Sequence, residues 1–216
     1  MENLYETYYK NNFYLPVLNY LPLEKEISKI RDYQLDLLRI FHKYNNVSVV
    51  KTRQIGASTI LAYYISCLIL LNDSCEYKKI VIFTPNKELF MNKLSYFLRN
   101  KEVEAAYYNK HRLIYNNVEV HIVNHIDQLR GNNPDIFIAE EITGLEEDKC
   151  NLILRCSLFF KKSIIVSSLG GKSDKIFKKW HSNIVSKTKT FKKRIILEKK
   201  NNILNDDYMY FNASFN

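Results

Sequence analysis

With 216 residues, 46% of them hydrophobic and 13% aromatic, the chain can bury one substantial core, and a split into two full domains would leave both halves small. Five Gly, four Pro and no Ser-, Gly- or Pro-rich stretch leave no linker or low-complexity segment, and the net charge of +9 favours a polyanionic partner. Cys67, Cys75, Cys150 and Cys156 form no CxxC pair, which argues against a zinc site or a disulfide framework and fits a reducing, intracellular compartment. The longest apolar run, Ile60 to Leu71, falls short of the roughly 20 residues a spanning helix needs, so no membrane association is expected.

In chain order, Val47 to Val50 reads as a short β-branched strand running into Lys51-Thr52-Arg53-Gln54-Ile55-Gly56-Ala57-Ser58. Thr59 to Leu71 then reads as a buried helix. Lys79 to Thr84 is a continuous apolar strand closed by Pro85, with Asn86 the expected cap of a helix through Leu98. Arg112 to Tyr115 and Val118 to Val123 flank Asn116-Asn117, a hairpin signal. A strand over Ile136 to Ala139, a helix near Glu146 to Ser157, a strand over Ser163 to Ser168, a helix near Asp174 to Val185 and a strand over Lys193 to Glu198 complete the pattern. Strands alternating with helices predict an α/β fold with a mostly parallel sheet covered on both faces.

The first strand–loop–helix carries the clearest chemistry. A phosphate-binding loop uses backbone N–H groups at a helix N-terminus, a lysine for the β/γ charge and a Ser/Thr hydroxyl for magnesium. Gly56 and Ser58 stand where the second Gly and the Ser/Thr of such a loop belong, but Ala57 occupies the lysine position. By itself the segment also fits a plain strand-to-helix turn.

The wording TRQIGAS resembles the [ST]RQxGK[ST] loop of viral terminase large subunits, and a lysine at the first position, KxxxxGxS, is similar to the deviant loops of lambda-like terminases. The resemblance implies that residues 51 to 59, from Lys51 through Thr52, Arg53, Gln54, Ile55, Gly56, Ala57 and Ser58 to Thr59, bind nucleotide. By it Lys51 supplies the phosphate charge, Arg53 is an arginine finger in cis, and Ser58 ligates magnesium. Upstream, Arg31-Asp32-Tyr33-Gln34 resembles the adenine-recognition segment, with Gln34 reading the adenine edge; a surface Gln is the other reading. Downstream, Asp127-Gln128-Leu129-Arg130-Gly131 and the strand IFIAEE are similar to the block ending in the Walker B acids, with Glu140 for the usual Asp. Glu140 is then the metal-binding acid and Glu141 the catalytic one, positioning the attacking water. Two Glu opening a helix is the alternative. The strand SIIVSS and Leu169-Gly170-Gly171, followed by a helix bearing Trp180, resemble the coupling motif, with Ser167, Ser168 and Gly170 its members or ordinary strand-end residues.

The resemblance implies a RecA-like P-loop ATPase over 31–200, preceded by an extension (1–30) and followed by a tail (201–216) too short for a nuclease domain. ATP and magnesium are the implied cofactors. The implied partners are double-stranded DNA, a portal protein, a small terminase subunit or separate nuclease, and further copies of the chain in a ring. The implied location is the host cytoplasm and, transiently, the capsid portal vertex. Between Gly171 and Lys200 eleven Lys and Arg face only Asp174 and Glu198, a surplus equal to the whole net charge. Lys192, Lys193 and Arg194 in this stretch are candidate DNA contacts or part of a solvated surface. A helicase-like translocase and an inactive P-loop module that only binds DNA or a partner remain alternatives.

Overall fold

The chain's structure, a computed structural model, describes residues 32–70, 77–98, 107–108, 112–115, 117–129, 131–184, 191–197 and 207–214, of which 107–108, 191–197 and 207–214 by their backbone. Helix α1 (Asp32–Lys43) leads into β1 (Asn46–Lys51) and α2 (Ala57–Leu70). Then come β2 (Lys79–Phe83), α3 (Lys87–Leu98), the short β3 (Tyr107–Tyr108) and the hairpin β4 (Arg112–Tyr115) and β5 (Val118–Val123). The rest is β6 (Ile136–Glu140), α4 (Glu147–Ser157), β7 (Lys162–Ser168), α5 (Asp174–Ile184), β8 (Phe191–Leu197) and β9 (Asp207–Ser214).

All nine strands share one sheet in the order β3-β4-β5-β2-β6-β7-β1-β9-β8. From β5 to β1 every pairing is parallel. These strands are almost wholly buried, as expected of apolar strands covered on both faces. The outer pairings, β3 with β4, β4 with β5, β1 with β9 and β9 with β8, are antiparallel. One core joins the sheet to α1, α2 and α3; the other joins it to α4 and α5. Helix α2 is apolar nearly all round, and that composition suits its buried place beneath α1 and beside α3. The expected α/β architecture with a mainly parallel sheet and helices on both faces is therefore the one observed.

Local signals explain most boundaries. The Asn86 side chain accepts a hydrogen bond from the Leu89 N–H at 3.1 Å and caps α3. Asn117 adopts left-handed backbone (φ 60°) in the hairpin turn, as two-residue hairpin loops require. At the amino end of the sheet the Lys162 side chain, 2% exposed, donates to the carbonyls of His42 (3.1 Å) and Tyr44 (2.9 Å), satisfying acceptors that the end of α1 leaves open.

Two differences from the sequence reading stand out. Helix α2 begins at Ala57 rather than Thr59, because Gly56 (φ 80°) makes the turn and the next residue is already helical. The stretch read as a C-terminal tail contains β9, whose backbone pairs with β1 from Asn46↔Ser214 to Lys51↔Met209. Its aromatic-rich DYMYFNAS has strand propensity, unlike the polar residues before it. The proposed 1–30 extension, Arg31, Val185 and Glu198 lie outside the described residues.

Candidate nucleotide site at the carboxyl edge of the sheet

Strand β1 delivers Lys51 to the carboxyl edge of the central strands, where its side chain is 5% exposed. Thr52 follows, with its hydroxyl oxygen buried and without a hydrogen-bond partner among the described residues. Arg53 and Gln54 form the exposed lip of the loop, Gln54 in left-handed backbone at φ 63°. Ile55 turns inward, Gly56 makes the turn, and Ala57, Ser58 and Thr59 form the first turn of α2. The N–H groups of Arg53 to Gly56 take no backbone acceptor among the described residues, so the loop presents open donors at a helix N-terminus.

The loop is held from above by α1. The Tyr33 hydroxyl donates to the Ile55 carbonyl at 2.7 Å, and the Gln34 amide reaches the same oxygen at 3.4 Å. A Cβ on Gly56 would lie 2.7 Å from that amide nitrogen, a flexible side-chain end that can give way, so it is the positive φ that calls for glycine. Gln34, singled out for adenine, thus sits against the loop. Ala57 is 4% exposed and leaves the lysine position of the loop filled by a methyl group.

The acidic pair arrives on β6, two strands from β1 with β7 between them. Glu140 ends the strand, 7% exposed, and accepts hydrogen bonds from the hydroxyls of Thr84 (2.9 Å) and Ser58. Burial, reinforced by the neighbouring Glu141 charge, outweighs these bonds and the Lys93 charge and raises its carboxyl above the usual range. Glu141 takes left-handed backbone (φ 53°, ψ 38°) before a single 3₁₀ turn, Ile142–Gly144, so the alternative of two acids opening an α-helix does not hold. Its Oε1 accepts from Lys51 Nζ at 2.5 Å, and its Oε2 accepts from the Ser168 hydroxyl at 2.5 Å and the Ser168 N–H at 3.1 Å. Burial works to raise this carboxyl, but the Lys51 hydrogen bond and charge, with the two bonds from Ser168, hold it below its ordinary value. Two adjacent carboxyls are thus pushed apart in acidity, as in sites that give paired acids different tasks.

Strand β7 brings in the serines. Ser168 binds Glu141 directly, whereas Ser167 donates to the Thr143 hydroxyl (3.1 Å) and accepts from the Thr143 N–H (3.2 Å). Beyond the strand, Gly170 has φ 105°, and the N–H groups of Gly170 and Gly171 both donate to the Asp174 carboxylate at 2.7 and 3.1 Å. Gly171 lies so tightly against Thr143 that a Cβ there would be 2.2 Å from the Thr143 carbonyl oxygen. The turn after β7 and the turn after Glu141 therefore move as one packed unit.

The sequence reading missed Thr84, Thr143 and Lys93. The first two are lone hydroxyls brought to the acids by strand order, with no motif around them. Lys93, half-buried on α3, has its pKa lowered by burial, and its charge bears on Glu140 and Lys51. Among the described residues no group of three or more His, Cys, Asp or Glu could hold a metal. Residues 192 to 194 form part of β8, paired with Asn212 to Tyr210 of β9; their side chains lie outside the described residues. No described helix is long and apolar enough to cross a membrane.

No known protein family and no curated protein matches the chain. Among solved structures it is similar to the large terminase ATPase domain of Thermus phage P74-26, once as an arginine-to-alanine mutant and once without that description. Both are 16% identical, over 68% of this chain and 70% and 69% of those chains, with TM-scores of 0.47 and 0.42.

Proposed function

We propose that the chain is the ATP-hydrolysing motor domain of a terminase-type packaging enzyme that drives double-stranded DNA into a viral capsid. The observation that carries the reading is the 2.5 Å contact between Lys51 and Glu141, which unites the loop's first residue with the acid after β6, 90 positions away. Lys51 ends β1 and Glu141 follows β6, and phosphoryl transfer uses a lysine and a carboxylate at one spot.

Magnesium–ATP would supply the scissile phosphoanhydride and the cation that offsets its charge. The residues present fit it: Ser58 and Glu140 are already hydrogen-bonded, two oxygens of the hard kind magnesium prefers, and a small ligand set suits an ion that keeps waters and phosphate oxygens. The N–H groups of Arg53 to Gly56 would receive phosphate oxygens, and Lys51, which pairs with Glu141, would offset the β/γ charge. Released from Lys51, the ionised Glu141 orients and polarises the attacking water. Ser168 senses that release because it shares the Glu141 carboxylate, and the Thr143–Gly171 contact passes the shift to α5. Arg53, on the exposed lip, would act as the arginine finger in cis, and Gln34 would read the adenine edge.

In this reading the chain acts as a ring of copies on a portal protein, with a small terminase subunit or a separate nuclease as further partners. It works in the host cytoplasm and briefly at the capsid portal vertex. Lys192, Lys193 and Arg194 hold DNA phosphates. Replacing all three by Ala should flatten the slope of log affinity against log salt by up to about three units while leaving basal hydrolysis intact. The decisive experiment is magnesium-dependent ATP hydrolysis by the purified chain. Nucleotide binding without turnover would favour the inactive P-loop module, which Ala57 and Glu140 would explain; strand separation in a DNA-unwinding assay would favour a helicase.

A further inference from the structure

Helices α4 and α5 lie side by side on one face of the sheet, and between them runs a groove of about 330 Å³. Its walls are Leu154, Leu158, Ile176 and the half-buried Trp180; Arg155 and Lys179 stand on its rims. At the end of α4 the apolar surface continues outward, with Leu158 62% and Phe159 85% exposed. Contiguous exposed apolar surface of this kind, rimmed by charge, marks an interaction site. The volume is at the small end of ligand pockets and suits one or two anchoring side chains of a larger partner.

Charge selects the occupant. Arg155 and Lys179 form no ion pair among the described residues, and Lys175 and Lys178 add exposed positive charge along α5. The acids of these helices lie away from the groove's centre: Glu147 and Asp148 in the first turn of α4, and Asp174 engaged with the Gly170 and Gly171 N–H groups. Apolar walls of this kind offer few donors to a phosphate backbone, which is bound mainly by hydrogen bonds to its oxygens. They do fit the apolar stripe of an amphipathic helix whose flanking residues are acidic.

We propose that the α4–α5 groove is the docking site for an acidic amphipathic helix of a partner protein. Its position gives that contact a consequence. The Ser173 hydroxyl donates to the Leu145 carbonyl at 2.6 Å, and Asp174 pins the turn after β7, so both walls of the groove are tied to the segment beside Glu141. A partner seated there touches the candidate site through two short links, although the docking itself requires no ATP chemistry.

Trp180 is the chain's single tryptophan, so its emission reports on the groove alone. A blocked helical peptide of Leu and Glu is titrated against the full chain, beside the same peptide with Lys in place of Glu and a DNA duplex. The proposal expects a saturable change in Trp180 emission with the Leu–Glu peptide, at least about tenfold weaker binding of the Leu–Lys peptide, and reversal of that preference in the exposed double variant Arg155→Glu/Lys179→Glu. Leu158→Asp should abolish binding with the melting temperature unchanged. Equal binding of both peptides, no response to either, or a Trp180 response confined to the DNA duplex would each overturn it, the last by assigning the groove to nucleic acid.

Discussion

Two buried lysines stand at opposite ends of neighbouring parallel strands, Lys51 at the carboxyl end of β1 and Lys162 at the amino end of β7, and they are 5% and 2% exposed. Lys162 spends its ammonium on two backbone carbonyls, which hold their places for as long as the fold does. Lys51 spends its ammonium on the carboxylate of Glu141, a side chain that can rotate and that Ser168 can hold in its absence. Burial is the same; exchangeability of the partner differs. A buried charge bound to backbone fastens the structure, whereas one bound to a movable counter-charge can be borrowed by a ligand.

That contrast can be broken by mutation, most severely first. Lys51→Ala should reduce ATP turnover by about 10²-fold or more, the scale of losing one fixed electrostatic contact to the transition state, with only a small shift in thermal midpoint; turnover at the wild-type rate would end the assignment. Glu141→Gln keeps shape but loses the charge that polarises water, so it should bind fluorescent ATP analogue with magnesium as the wild type does and stall by a comparable factor. Gly171→Ala forces a methyl into the Thr143 carbonyl and should cost about 1–3 kcal/mol of stability, the usual range for overpacking. It should also depress turnover in the fraction that stays folded. Lys162→Met leaves two carbonyls without their donor and should cost about 1–3 kcal/mol in denaturant unfolding, with turnover per folded molecule unchanged. A loss of turnover in Lys162→Met beyond the unfolded fraction would erase the contrast.

A pH dependence of the fold lies away from the site. The Ser48 hydroxyl and His181 Nδ1 lie 2.6 Å apart between β1 and α5, and burial lowers the imidazole from its usual 6.5 to about 4. Above 6.5 both folded and unfolded chains carry neutral imidazole, and the contribution is whole. As pH falls toward 4 the unfolded chain takes up a proton that the folded one refuses, and stability drops by at most about 3.5 kcal/mol at about 1.4 kcal/mol per unit. His181→Gln should flatten this segment of a stability-versus-pH curve and leave the Lys51→Ala phenotype untouched.

What the sequence disclosed divides along a physical line. Local features were readable: the strand-to-helix turn from Lys51 to Thr59, because its Gly and flanking strand are contiguous, and the placing of Glu140-Glu141 at a strand end, because β6 is a continuous apolar run. Partners supplied across the sheet were not. Thr84 reaches Glu140 only because β2 neighbours β6, and Thr143 meets Ser167 only because β6 neighbours β7. Lys93 lies on an unremarkable amphipathic helix. Strand β9 escaped because its neighbours in sequence are polar and its pairing partner lies at the other end of the chain.

That last pairing has a consequence for biosynthesis. β1, which carries Lys51, sits between β7 and β9, and β9 is the last described strand to leave the ribosome. A nascent chain that has already made its loop, its acids and its serines still leaves one edge of β1 unpaired until residues 207–214 emerge. Translation cut short before Asp207 therefore yields an open edge on the strand that carries Lys51, so the surroundings of that lysine are complete only once β9 has been made.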